Sequence, residues 1–240
     1  MAAGGDGTLN EVIQGMAHSR VPLGILPAGT ANVLATEIGM GHGVGRSAKL
    51  IPKCVTRRIA LGRVECQAGC RYFLAMAGVG FDAQIVYDLG AGLKRLGKTG
   101  YWITSFAHAL RRFPEFEIEI DGSERAMGSF ALASRVRNYG GDFEIASHAS
   151  LTQDRFEAVL FRGRYALPYF KYLCGMVAGR LRGMGGVSFL NAQSLRVFDP
   201  EDRRIHIQVD GEYAGRLPAS ITLVPNALTL LVPPGYTNGK

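Results

Sequence analysis

The residue types that could do chemistry are concentrated at the start of the chain, in Gly4-Gly5-Asp6-Gly7-Thr8 followed by Asn10 and Glu11. Glycines let a backbone turn through positive φ and approach a bulky ligand closely. Thr8 and Glu11 have capping-box spacing, which predicts a helix beginning at Thr8 and running into Val12, Ile13 and Met16. Exposed amides at a helix start attract anions, phosphate above all. An ordinary glycine turn before a capped helix would use the same residues, so a second signal is needed.

The chain supplies one at Pro27-Ala28-Gly29-Thr30-Ala31-Asn32, after an apolar strand expected over Val21 to Leu26 and before a helix expected to end near Gly39. Two successive turns rich in Gly, Thr, Asn and Asp would line one rim of an α/β sheet, where such folds bind ligands. Neither is a Walker loop, and Gly-x-Gly-x-x-Gly is absent. A nucleotide site built from them belongs to another class.

The elements that must hold these turns fall into two regimes. Residues 1 to about 55 read as helix, strand, helix and a loose link through Gly39 to Gly43; from Arg57 the pattern becomes β-rich. Strands are expected over Ile59 to Cys66, Arg71 to Met76, Phe116 to Ile120, Ala126 to Val136, Phe156 to Phe161, Ser194 to Phe198 and Arg204 to Val209, with hairpin turns at Asp121-Gly122 and Asp210-Gly211. Helices are expected over Tyr101 to Phe113, ending before Pro114, and over Tyr165 to Leu181. The second is apolar with a basic edge. Most of it suits a core helix, and peripheral contact with an anionic membrane is the alternative use of its apolar face.

With 240 residues the chain can bury a substantial core, and its formal net charge of +7 favours an anionic partner without naming one. Dispersed Lys and Arg with no recognition motif argue against nucleic acid. There is no secretory leader and no apolar run of membrane-spanning length, and Cys54, Cys66, Cys70 and Cys174 lack zinc-site spacing. A cytoplasmic protein with reduced thiols is expected. No histidine has metal-ligand spacing.

Four blocks together resemble the diacylglycerol kinase catalytic family, especially the soluble bacterial lipid kinases related to sphingosine kinases. They are Gly4 to Val12, Ile25 to Asn32, Ala77-Gly78-Val79-Gly80-Phe81-Asp82 and Val209-Asp210-Gly211-Glu212, in family order. The resemblance implies an α/β fold: a partial NAD kinase/diacylglycerol kinase-like nucleotide-binding domain (1–55), followed by a β-sandwich lipid-substrate domain (56–240) whose last segment packs back on the first. It also implies transfer of the ATP γ-phosphoryl group to a lipid hydroxyl with Mg²⁺, diacylglycerol or a related lipid alcohol being the acceptor.

On that basis Gly4, Gly5, Gly7 and Thr8 would cradle phosphates, with Asn10 and Glu11 beside them, and Gly29, Thr30 and Asn32 would complete the nucleotide wall. Asp210 is expected to be the general base, with Glu212 a second carboxylate near it. Asp6 would organise the turn or hold Mg²⁺ through water, joined by Asp82, for which helix capping is the rival role. Asp154 is the one acidic residue left where relatives hold a structural divalent ion, and Arg155 beside it disfavours such an ion. Phe73, Phe81, Ile85, Tyr87, Trp102, Phe106 and the Tyr165 to Leu181 helix are candidates for an apolar lipid lining, although such residues also build cores.

An NAD kinase shares the glycine-Asp core, but its later Asn-Glu substrate signature is not evident here. A non-catalytic nucleotide- or lipid-binding remnant is the third reading. A nucleotide-binding α/β domain carries further β-α-β units before its first glycine block, which here begins at residue 4, so an amino-terminally shortened chain is expected, with weak activity and an exposed sheet edge that a partner, such as a second copy in a homodimer, would cover.

Overall fold

The computed structural model describes residues 1–41, 43–88, 112–140 and 143–236. The expected helix over Tyr101 to Phe113 falls almost wholly outside them, as do Trp102 and Phe106.

A short strand, β1 (Ala2–Gly4), precedes the first glycine turn and pairs in parallel with β2 (Ile25–Pro27). Between them lies α1 (Asp6–Met16), which buries Leu9, Asn10 and Ile13 on one face. After β2 come α2 (Val33–Glu37) and α3 (Val44–Leu50). The latter was unforeseen in the glycine-rich link, and it starts directly after Gly43 at φ +91°.

Next come β3 (Val55–Cys66), β4 (Gly69–Phe73), β5 (Met76–Gly80), α4 (Phe81–Asp88), β6 (Phe116–Ile120), β7 (Glu124–Gly128) and β8 (Phe130–Ser134). A small hairpin, β9 (Asn138–Tyr139) and β10 (Phe143–Glu144), leads to β11 (Phe156–Phe161) and α5 (Ala166–Val177). The chain ends with β12 (Val187–Ala192), β13 (Ser194–Phe198), β14 (His206–Val209), β15 (Glu212–Arg216) and β16 (Ala219–Val232). Two expected long strands are each split, at Leu74-Ala75 and at Ser129, because the chain there changes sheets.

The later strands form two six-stranded antiparallel sheets, ordered β12-β11-β8-β5-β14-β15 and β4-β3-β16-β13-β6-β7. β6 shows the period of a half-buried strand, with Phe116, Ile118 and Ile120 in the core and Glu117 and Glu119 turned out. β5, β8 and β11 are buried at every position, because their sheet is covered on both faces. Phe130 and Leu132 of β8 enter the core shared with the helices, while Ala131 and Ala133 enter the core between the sheets. The far end of β16 returns to the small parallel sheet: Leu23 N donates to Thr229 O and Leu231 N to Leu23 O, both at 2.9 Å. The glycine turns are thereby tied to the sheet that carries β3 and β16.

Candidate active site

Both glycine turns leave the same end of the small sheet. Ala28 N donates to Gly4 O at 3.0 Å, and a Cβ added to Gly29 would lie 2.5 Å from Gly5 Cα, so Gly29 is required for close approach. Asn32, at φ +47°, closes its own loop, accepting from Gly29 N at 2.9 Å and donating to Gly29 O at 2.7 Å. Its amide is engaged there, while Gly29 and Thr30 are exposed.

The first helix does not start at Thr8. Extended Gly5 is the N-cap, with no side-chain cap bond, and Asp6 is the first helical residue. A helix can begin as soon as the chain leaves β1, and a carboxylate at its first position is favoured by the helix dipole. Thr8 packs over Gly4, where a Cβ would meet Thr8 Oγ1 at 2.5 Å. Glu11 forms an exposed ion pair with Arg71. The expected capping box is therefore absent.

Asp6 points across the cleft to the amides of Val33 and Leu34 at the start of α2. Burial raises its pKa above the ordinary carboxylate value, and the nearby Asp210 raises it further, against those amides. Asp210 occupies the turn between β14 and β15, where Asp210 and Gly211 have φ +49° and +83°. Successive positive φ values are what a tight hairpin turn demands, and Asp-Gly supplies them.

Four donors surround the Asp210 carboxylate. Oδ1 accepts from Ala75 N at 2.9 Å and Met76 N at 3.0 Å, and Oδ2 accepts from Leu74 N at 2.8 Å and Asn10 Nδ2 at 3.1 Å. These bonds favour the charged form, yet burial outweighs them and its pKa is raised as well. The break between β4 and β5 is what frees those three amides. Asn10, fully buried, also donates to Tyr72 O at 3.2 Å and accepts from Arg71 at 2.9 Å. It joins α1 to the Asp210 turn, and Glu11 beside it is paired to Arg71.

A second layer fixes the same turn. Gln208 Oε1 accepts from Gly211 N at 2.8 Å, Gln208 Nε2 donates to Asp82 Oδ2 at 2.7 Å, and Tyr139 donates to Asp82 Oδ1. Asp82 is buried, so its two oxygens serve this relay. Gly78 makes room, since a Cβ there would sit 2.3 Å from Asp82 Oδ2. Gln208, Tyr139 and Arg71 were not legible as site residues. Glu212 reaches back to the first turn, its Oε1 lying 3.2 Å from a Cβ built on Gly7.

Asp6, Asp210 and Glu212 form the polar end of a cavity of about 400 Å³. Its other walls carry Thr30, Asp82, Tyr139 and Gln208 beside the apolar Leu9, Val33, Leu34, Leu74, Met76, Val86, Phe143 and Met176. Of the expected lining, the Tyr165 to Leu181 helix contributes Met176, whereas Phe73, Phe81, Ile85 and Tyr87 are not among the lining residues. Phe73 stacks on Phe156 between the sheets, Phe81 packs on Phe113 and Tyr169, Ile85 is fully buried, and exposed Tyr87 stacks on His206.

Asp154 stands apart from this site. Among the described residues no group of three or more His, Cys, Asp or Glu is arranged to hold a metal ion. At the Asp154 turn the carbonyl oxygens face another cation, for fully buried Arg135 donates to Leu151 O at 2.8 Å and to Gln153 O at 3.4 Å. Burial lowers the Arg135 pKa to about 10, and the charge of Asp154 opposes that fall. A hard divalent ion needs several oxygens, and a guanidinium already takes the Leu151 carbonyl. The residues present do not fit a structural ion at this turn.

A glycine-turn α/β unit stacked on a two-sheet sandwich, with carboxylates meeting between them, defines the NAD kinase/diacylglycerol kinase-like architecture. Residues 1–64 match the diacylglycerol kinase catalytic domain and residues 75–232 match the YegS C-terminal NAD kinase beta sandwich-like domain. A diacylglycerol kinase of Mycobacterium tuberculosis is 30% identical over 97% of this chain and 76% of its own length. One from Bacillus subtilis is 28% identical over 97% of this chain and 77% of its own. A crystal structure of a Bacillus anthracis diacylglycerol kinase superposes with a TM-score of 0.73 at 22% identity, covering 98% of this chain and 77% of that one. The chain belongs to the diacylglycerol kinase family of lipid kinases.

Proposed function

We propose that the protein transfers the γ-phosphoryl group of ATP to the hydroxyl of a lipid alcohol, diacylglycerol first among them. One observation carries the reading: two carboxylates with raised pKa values, Asp6 and Asp210, line a cavity in which apolar side chains outnumber the polar Thr30, Asp82, Tyr139, Gln208 and Glu212. That shape matches an acceptor with a single polar reacting group on a hydrocarbon body. The glycine turns, residues 4–7 and 29–30, take the phosphates, within a nucleotide unit over 1–55. Residues 56–240 take the lipid, and the bonds of β16 to Leu23, just before β2, support their packing as one body.

Phosphoryl transfer needs positioned phosphates, charge neutralisation and a base for the acceptor proton. Asp210 already has donors at all four of its acceptor positions, so a hydroxyl can reach it only by displacing one. Asp6 has the adjacent charge of Asp210 to make proton uptake easier. We therefore assign proton removal to Asp6 and positioning and field to Asp210, exchanging the weights the sequence suggests. Mg²⁺ is commonly held by one or two carboxylates with phosphate oxygens and water. Glu212 beside Gly7, with Asp6, fits that need, and the ion when bound would neutralise phosphate charge.

The test is product identity. The protein is incubated with ATP, Mg²⁺, diacylglycerol in mixed micelles and NAD, and all products are resolved by mass spectrometry. Phosphatidic acid is expected. NADP as the product, or no phosphorylated lipid from folded protein, overturns the reading.

A further inference from the structure

An asparagine amide carries an acceptor at one end and two donors at the other, so a fully buried one needs its surroundings to choose which end points where. Around Asn10 two neighbours are acceptors: the carboxylate oxygen Oδ2 of Asp210, 3.1 Å from Nδ2, and the Tyr72 carbonyl oxygen, at 3.2 Å. Nδ2 must face them. Oδ1 is then turned to the other side, where it needs a donor, and Arg71 Nη2 supplies one at 2.9 Å. With the amide reversed, Oδ1 would meet a carboxylate oxygen and Nδ2 would meet a guanidinium. Both contacts would then repel.

Glu11, the other partner of the same Arg71 nitrogen, does not account for the arginine. Its side chain is 67% exposed, and an ion pair in solvent contributes little. Arg71 meanwhile buries Nε with no partner among the described residues, which costs free energy. The backbone beside it is fixed as well. Tyr72 N donates to Gln14 Oε1 and Gln14 Nε2 donates to Tyr72 O, both at 2.9 Å, so α1 closes the free edge of β4 one residue from Arg71. The arginine therefore starts from a clamped strand and ends on a buried amide.

We propose that Arg71 is a positioning residue: its guanidinium holds the Asn10 amide in the one orientation that offers Asp210 a donor, and so keeps that carboxylate aimed at the cleft. The orientation follows from the contacts themselves; its effect on turnover rests on the lipid-kinase reading. Among the described residues Arg71 makes no hydrogen bond to Asp6 or Asp210, so it acts through Asn10. One nitrogen makes both of its bonds. A lysine ammonium has three donors and can serve the same two acceptors from one point, so Arg71→Lys should keep what Arg71→Met loses.

The experiment uses the full chain as wild type, Arg71→Met, Arg71→Lys, Asn10→Ala and Arg71→Met/Asn10→Ala, each verified as folded, with Arg71→Ala standing in where Arg71→Met does not fold. The first readout needs no turnover: hydrogen exchange of the Asn10 side-chain amide, followed by nuclear magnetic resonance. Slow exchange is expected in wild type and Arg71→Lys, and exchange faster by about tenfold or more in Arg71→Met. The second is labelled phosphate transfer from ATP to diacylglycerol. Arg71→Met should lower kcat by about tenfold with KM for both substrates within about twofold of wild type, and should cost nothing further once Asn10 is alanine. A residue that merely staples α1 to β4 would lower the melting temperature, leave the Asn10 amide protected and cost the same turnover in either background; that result overturns the proposal. Lost amide protection in Arg71→Met, with no lipid phosphorylated by the wild type, would leave the orientation standing and remove the kinase reading.

Discussion

Two carboxylates placed together in a buried cleft must raise each other's cost of ionisation, and this governs Asp6 and Asp210. The Asp210 charge is a cause of the raised Asp6 pKa, so Asp210→Asn should move the acid limb of the kcat/KM profile to lower pH while leaving measurable turnover. Loss of turnover by roughly 10²-fold or more with no shift in that limb would return the base role to Asp210. The variant should also melt lower, because the new amide group faces the donors Leu74 N and Asn10 Nδ2.

The same pair fixes the sign of a stability effect. Both folded pKa values lie above the ordinary 3.8, so the folded state binds protons more readily than the unfolded one. Stability therefore falls as pH rises from 3.8 through the folded values. Asp6→Asn removes that cost, so it should melt about 2–4 °C above wild type at pH 7.5 while losing turnover, with the gap closing as pH falls toward 4. Circular-dichroism melting curves at several pH values check this. A variant less stable than wild type at neutral pH would contradict the mutual destabilisation.

At the scale of elements, local signals were legible and pairings were not. Asp210-Gly211 and Asp121-Gly122 could be read as hairpin turns because each needs positive φ at its central residues, as observed. The bond between Gln208 and Asp82 spans 126 positions, and strand alternation says nothing about which strand lies alongside. The start of α1 was misplaced because extended Gly5 does the capping that Thr8 and Glu11 are spaced to do. Of the apolar lining expected, the Tyr165 to Leu181 helix supplies Met176, while Phe73 is taken up by the core between the sheets and Leu9 and Leu34 of the first unit line the cavity instead.

Arg135 is the element-scale case with a direct consequence. Its guanidinium ties β8 to the Leu151–Asp154 turn, so that turn needs no ion. Without nucleotide, EDTA should leave the wild-type melting temperature unchanged. Arg135→Met, which strands the Leu151 and Gln153 carbonyls, should lower it by about 2–10 °C. A chelator effect on the wild type as large as that of the substitution would show that an ion holds the turn after all.

For the whole molecule, the change of grammar near residue 57 corresponds to the passage from α1, α2 and α3 into the run of strands that begins with β3. The covering of one sheet on both faces was not legible in the sequence, although β5, β8 and β11 show it as unbroken burial. The consequence is a site whose parts come from opposite ends of the chain: Asp6 on the first helix, Asp210 on the hairpin beyond β14, and the return of β16 to hold the two together. Catalysis should therefore depend on both units being docked. The most direct measurement is the initial rate of labelled phosphate transfer from ATP to diacylglycerol by wild type and Asp6→Asn, both verified as folded. A wild-type rate that Asp6→Asn lowers roughly 10²-fold or more is predicted; equal rates in the two proteins, or no transfer by either, would contradict a lipid kinase working through this carboxylate pair.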